Sequence, residues 1–477
     1  MLFNSIEFLF FFPIVSILYY LLPHKYRWVH LLLASICFYM FFIPVYIFIL
    51  LFTIVIDYAA GILLETTKEA ARKKFYLILS LMANIGVLAV FKYYNFFIDN
   101  VNLLLQSLHI STTPIPLLHI ILPIGLSFHT FQAMSYTIEV YRGNQKAERH
   151  LGYYALYVLF YPQLVAGPIE RPQNIIHQLH TAQRFDYANV VSGMRLMLWG
   201  FFKKCVIADK IALLADPVFF KPDLFMGFPM IISILCFTIQ IYGDFSGYSD
   251  IARGSARTMG INLMENFNAP YTSKSIDEFW KRWHISLSSW FRDYLYIPLG
   301  GNRISATRRY INVFIVFLVS GLWHGANWTF IVWGALHGSF VLIAWWCKGL
   351  FKNFRMPSFF QWLITFILVA AAWTFFRAKD VGQALFILGH SLDGITAPLA
   401  YLMKGFAYLK FWKFTGLDLI VLIGSLWFLF YVELKPDLWN WFHKQPAIIR
   451  WSIYIVMTAC IILFGVFDSR QFIYFQF

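Results

Sequence analysis

Charge is scarce in this 477-residue chain: 13% of its residues are charged and 60% are apolar. A soluble domain carries about 25% charged residues. The deficit excludes a cytosolic enzyme, a secreted domain and a disordered chain. Cysteine is also sparse. Cys37, Cys205, Cys236, Cys347 and Cys460 lie in or beside apolar runs and form no CxxC pair, which excludes a disulfide frame and a cysteine metal site. No His-Glu-x-x-His or other paired-ligand spacing points to a metal. There is no arginine-rich arm and no zinc-finger spacing, so the net charge of +14 does not indicate nucleic acid. No repeat, low-complexity linker or soluble domain interrupts the chain, which reads as one membrane domain over 1–477.

What the chain has in abundance is apolar runs. At roughly 20 apolar residues per crossing, its length holds about a dozen transmembrane helices. The first run, Phe8 to Leu22, lacks a basic flank and a small-residue cleavage site, and is expected to be a retained span. Further runs lie near 28–43, 44–64, 75–91, 115–140, 152–168, 190–213, 228–242, 310–322, 326–346, 359–376, 416–433 and 449–466. Pro123, Gly125, Pro162, Gly167 and Pro168 interrupt some of them, and broken helices persist in a bilayer only where protein or a wet cavity satisfies the backbone.

The loops between the early runs alternate in basic residues. Lys25 and Arg27 follow the first run; Lys68, Arg72, Lys73 and Lys74 follow the third; Arg142, Lys146 and Arg149 follow the fifth. The loop near Pro44 has none, and the fourth has only Lys92. Cytoplasmic loops retain Lys and Arg, so the odd loops are assigned to the cytoplasm and the N-terminus outside. Lys444 and Arg450 before the last run place the C-terminus outside as well.

From about 242 to 310 the character changes. Within 253–309 there are nine Lys or Arg against four acids, a net of +5, in a dense aromatic background. This is too polar for an ordinary span and too aromatic for a plain loop. Amphipathic or re-entrant helices on the cytoplasmic side are expected. Ser275, followed by Asp277 and Glu278, reads as a helix start.

The segment contains DFSGYSD and FWKRWHISLSSWFRDYLYIPLGGNR, followed by SGLWHGANWTFIVWGALHG. In these motifs the chain resembles the membrane-bound O-acyltransferase (MBOAT) family. The likeness is strongest to the bacterial branch that includes the alginate O-acetyltransferase membrane subunit, with teichoic acid D-alanyl transferases as cousins. The C-terminal FIYFQF extends the resemblance toward the end of the chain. It implies an all-α polytopic fold of about 11–13 transmembrane helices ringing a tunnel. It also implies transfer of an acyl group from a thioester donor, acetyl-CoA or another, to a hydroxyl, with no bound cofactor.

Thirteen histidines are present. Most lie in loops or at run ends, and His129 and His337 read as hydrogen-bonded interior histidines. His324 differs: an ionisable side chain within an apolar helix is costly and a functional candidate, and burial keeps the imidazole neutral and able to take a proton. By the resemblance His324 is the catalytic histidine, acting as general base, and His284 is a second active-site histidine. Trp280, Arg282, Trp323 and Asn327 are the expected substrate-binding residues. Tyr474, in the outward tail 467–477, matches a tyrosine that accepts the acyl group in related systems; an aromatic interfacial anchor is the other reading.

The same resemblance implies a multi-pass protein of the bacterial inner membrane, in contact with lipid. It would send an acetyl group outward to a surface polysaccharide such as alginate through a separate extracytoplasmic SGNH-type transferase. A polysaccharide or small-molecule transporter, an MBOAT using long-chain donors on lipid or protein, and a non-enzymatic scaffold are the alternatives.

Overall fold

The computed structural model describes residues 1–110, 113–165, 167–350, 356–411, 415–435, 437–467 and 473. Among them every regular element is helical. Among the described residues seven helices are long and apolar enough to cross a membrane: Pro44–Thr66, Ala70–Ser107, Phe228–Thr258, Trp328–Leu350, Ser358–Arg377, Gly416–Leu434 and Ala447–Phe464. Ile6–Leu21 is apolar but shorter. The last helix shows why lipid is the solvent. It buries Met457 and leaves Ile448, Trp451, Ile455 and Ile462 exposed, an apolar face that water would not tolerate. The protein is an all-α polytopic membrane protein.

Most expected runs became helices at the expected places, with three corrections. The run 115–140 is helical only from Leu126 to Arg142. Pro114, Pro116 and Pro123 keep the chain before it irregular, and Gly125, at φ +76°, starts the helix from the left-handed region. The run 152–168 splits into Leu151–Leu159 and Tyr161–Leu164, because Pro162 cannot continue a helix. The third correction bears on the site. The boundary expected near 242 falls inside a helix that continues to Thr258. Its polar residues are paired within the protein: Asp244 with Lys204 and Asp250 with Lys203, each at 2.7 Å. Gly247 packs on the backbone of Gly200, where a Cβ would stand 2.7 Å from the carbonyl oxygen. Only after Thr258 does the chain turn to short helices, Ile276–Arg282 and Ile285–Phe291.

The chain forms two compact units, Met1–Arg195 with Ala252–Met264, and Leu196–Ile251 with Glu265–Phe477. The first packs Ile47–Thr66, Ala70–Leu88 and Leu126–Arg142 together. Inside it, the buried Asp57 accepts hydrogen bonds from Ser80 at 2.6 Å and Asn84 at 2.9 Å, and His129 contacts the Thr53 hydroxyl at 2.6 Å. The second unit holds an aromatic core that includes Trp283, Trp333, Trp373 and Phe376. Both histidines of the long motifs lie in it.

Candidate active site

The helix Ala306–His324 begins on Ser305, whose hydroxyl accepts the Arg308 amide, and stops where Gly325 adopts extended backbone. Asn327 then starts Trp328–Leu350. Its Oδ1 accepts the Thr329 amide at 3.0 Å, and its Nδ2 donates to the Lys379 carbonyl at 2.9 Å. The two helices meet at backbone range. A Cβ on Gly321 would lie 2.2 Å from the Phe330 carbonyl oxygen, and one on Gly334 would lie 2.3 Å from that of Phe317. Glycine at both places permits this approach, which seats the end of the first helix against the start of the second.

His324 stands at that end. It is the last helical residue, where the sequence reading expected it within the helix, because the backbone leaves helical geometry at Gly325. Its ring is buried 4.9 Å from Trp323, 5.0 Å from Trp333 and 5.2 Å from Phe376, centroid to centroid. The negative end of the helix dipole lies here and favours positive charge developing on an imidazole that takes a proton.

His284 occupies the joint between the two short helices, at φ +44° and ψ +55°, a conformation most side chains avoid. Asn266 holds it there. The Asn266 backbone carbonyl accepts the Ile285 amide at 2.9 Å. Its side-chain oxygen faces the Ser286 amide at 3.2 Å, the Ser286 hydroxyl at 2.9 Å and Nδ1 of His284 at 3.1 Å. An amide nitrogen only donates, so the atom it faces is an acceptor, and Nδ1 of His284 must carry the proton. The lone pair of the neutral ring then sits on Nε2. Complete burial pushes the imidazole down to about 3, so the ring is neutral. Phe245 lies edge-on at 4.7 Å.

Trp323 lies close to both histidines, its ring 6.3 Å from His284 and 4.9 Å from His324. The structure thus brings His284, His324 and Trp323 together. The other expected substrate-binding residues have these neighbours. Asn327 has both ends of its amide engaged with backbone, as above. Arg282 pairs with Glu278 at 2.8 Å. Trp280 packs 4.9 Å from His337. Tyr474 lies outside the described residues.

His129 is hydrogen-bonded, as expected, but His337 is not: neither ring nitrogen has a hydrogen-bond partner among the described residues. Its neighbours are Trp280, Trp333 at 4.8 Å and Phe340 at 5.9 Å. Asn266 was missed. It lies 18 residues before His284, outside any helical spacing, and no local pattern joins the two.

A family model described as MBOAT, membrane-bound O-acyltransferase family, matches residues 149–379, a stretch that contains both histidines and Asn266. The chain is 40% identical over 439 residues to a probable alginate O-acetylase of Pseudomonas aeruginosa, covering 86% of this chain and 82% of that protein.

The chain belongs to the membrane-bound O-acyltransferase family.

Among further relatives, the peptidoglycan O-acetyltransferase of Helicobacter pylori is 39% identical over 440 residues, covering 85% of this chain and 82% of the relative. The teichoic acid D-alanyltransferase of Bacillus subtilis is 30% identical over 260 residues, covering 50% and 62%. As an MBOAT protein the chain is an O-acyltransferase of the membrane, and its substrates include an acyl donor. Two buried histidines walled by tryptophan and phenylalanine suit chemistry from which water must be excluded.

Proposed function

We propose that this enzyme takes an acetyl group from acetyl-CoA on the cytoplasmic side of the bacterial inner membrane and passes it outward for O-acetylation of a surface polysaccharide. His324 is the general base. The acceptor hydroxyl gives its proton to the imidazole as its oxygen attacks the thioester carbonyl. The tetrahedral intermediate then collapses with cleavage of the carbon–sulfur bond, and the departing thiolate takes the proton back from the imidazolium. His284, held by Asn266, orients the thioester.

The observation that carries this reading is the pair His284 and His324 flanking Trp323 within the matched stretch. The names of the two relatives near 40% identity support acetyl as the group and a cell-surface glycan as its destination. Tyr474 serves as the carrier: its phenol accepts the acetyl group as an ester, and a separate extracytoplasmic transferase moves it to the polysaccharide. Basic loops inside and both termini outside fit this direction of travel.

The test is donor choice and carrier loading. The purified protein in nanodiscs is offered labelled acetyl-CoA or palmitoyl-CoA, and the C-terminal peptide is examined by mass spectrometry. Acetyl on Tyr474 with acetyl-CoA, absent in Tyr474→Phe, is the expected result. Preferential use of palmitoyl-CoA would move the enzyme to the long-chain branch of the family. An unlabelled tail with undiminished acetyl transfer to the glycan would remove the carrier.

A further inference from the structure

Apart from Phe245, which lies edge-on to His284, the DFSGYSD motif has no part in the chemistry above, yet its first aspartate belongs to a buried charged cluster of the second unit. Lys204 lies between two carboxylates, Asp209 at 2.8 Å and Asp244 at 2.7 Å, and all three side chains are almost wholly buried. Burying charges costs heavily unless every lone pair is met. One Asp244 oxygen is met by Lys204. The other accepts the backbone amide of Ile473 at 2.8 Å, and Ile473 is itself 2% exposed in the aromatic core.

A second tie lies beside the first. Phe202–Ala208 is a π-helical turn, in which the Asp209 amide reaches back to the Lys204 carbonyl. Such a turn shifts the backbone pairing by one residue and leaves a carbonyl for another partner. The Cys205 carbonyl accepts the amide of Val466 at 3.1 Å. The residues just after the last helix and the residue just before Tyr474 are therefore both fastened to the Lys204–Asp244 region.

We propose that Asp244, braced by Lys204, is a positioning residue that seats the C-terminal tail for acyl loading. This rests on the reading of Tyr474 as carrier. Tyr474 follows Ile473 directly in sequence, so the grip acts one residue from the carrier. Asp244 grips the tail through a main-chain amide, a contact that a proline at 473 would remove.

Two variants of the full-length protein test the proposal from opposite sides. Asp244→Asn weakens the grip of both Lys204 and Ile473, whereas Ile473→Pro removes the amide donor and the packing of the Ile473 side chain but leaves the ion cluster intact, and Ile473→Ala, which keeps the amide, controls for the packing. Each is compared with wild type in carboxypeptidase trimming of the tail, followed by intact mass, and in the initial rate of acetyl loading on Tyr474 at varied acetyl-CoA. For Asp244→Asn and Ile473→Pro the expected result is trimming past residue 473 and a loading rate lowered about ten-fold or more, with the KM for donor unchanged and Ile473→Ala close to wild type in both. Wild-type trimming and loading in folded Ile473→Pro overturns the proposal, even if Asp244→Asn fails to fold. If Tyr474→Phe shows that the tail carries no acetyl group, the carrier reading fails by itself, and trimming alone decides whether the amide is gripped.

Discussion

The side-chain oxygen of Asn266 stands 3.1 Å from Nδ1 of His284 and fixes which ring nitrogen of that histidine is protonated. The same oxygen faces the Ser286 amide, so the arrangement admits one tautomer. Asn266→Ala removes the acceptor from three donors at once. A buried donor left unmet costs about 1–3 kcal/mol, and a displaced imidazole costs roughly a hundred-fold in rate. The expected outcome is a lower thermal midpoint and a turnover lowered by one to two orders of magnitude, with Asn266→Asp, which keeps the oxygens, closer to wild type in both.

The neutral state of His284 sets a pH dependence. Burial lowers its folded-state value from 6.5 to about 3, so below pH 6.5 the unfolded chain binds a proton that the folded chain does not. Stability is therefore lost as pH falls through 6.5. Between pH 6 and 5 this single group costs about 1 kcal/mol. Denaturation of wild type and His284→Gln across that range should differ in slope, with the variant flatter. Parallel slopes would mean that the ring is protonated in the fold.

The left-handed backbone at His284 yields a prediction that separates chemistry from conformation. A side chain there costs about 1–2 kcal/mol relative to glycine. His284→Gly should thus fold at least as stably as His284→Ala, although neither retains activity. Thermal midpoints in detergent, read beside CoA release, check both halves.

The crossing of Ala306–His324 with Trp328–Leu350 depends on absent side chains. Gly321→Ala drives a methyl group into the Phe330 carbonyl, whereas Gly349→Ala meets nothing within 4 Å. The first should abolish activity and lower the yield of folded protein, and the second should change neither. Equal yields and activities would show that the two helices separate without consequence.

His129 and His337 should respond oppositely to phenylalanine. His129→Phe takes one partner from the buried Thr53 hydroxyl, which still donates to the Leu50 carbonyl at 2.9 Å, and is expected to destabilise by about 0.5–1.5 kcal/mol. His337→Phe breaks no hydrogen bond with a described residue and removes two buried polar nitrogens. Its thermal midpoint should hold or rise.

These contrasts mark what could be read in the residues alone. Apolar runs announce helices because lipid forbids unpaired backbone, and local rules fixed small features such as Ser275, whose hydroxyl caps Ile276–Arg282 by accepting the Glu278 amide at 3.2 Å. His324 was visible as an ionisable residue in an apolar setting. Features that depend on distant partners were not visible. The helix Phe228–Thr258 looked too polar to continue past 242 because Lys203 and Lys204, which satisfy its aspartates, come some forty residues earlier. Asn266 gave no periodic cue, since a left-handed joint and not a helical turn brings it to His284. Asn327 also caps a helix, which its place before Trp328 and Thr329 already allowed.

The central claim is that His324 moves the proton in acyl transfer. General base catalysis is worth roughly 100- to 10,000-fold. Thiol release from acetyl-CoA by purified wild type and His324→Ala in nanodiscs, at matched thermal midpoints, measures it directly. A loss of at least about a hundred-fold with the fold intact is the predicted result; release at the wild-type rate by His324→Ala would contradict it.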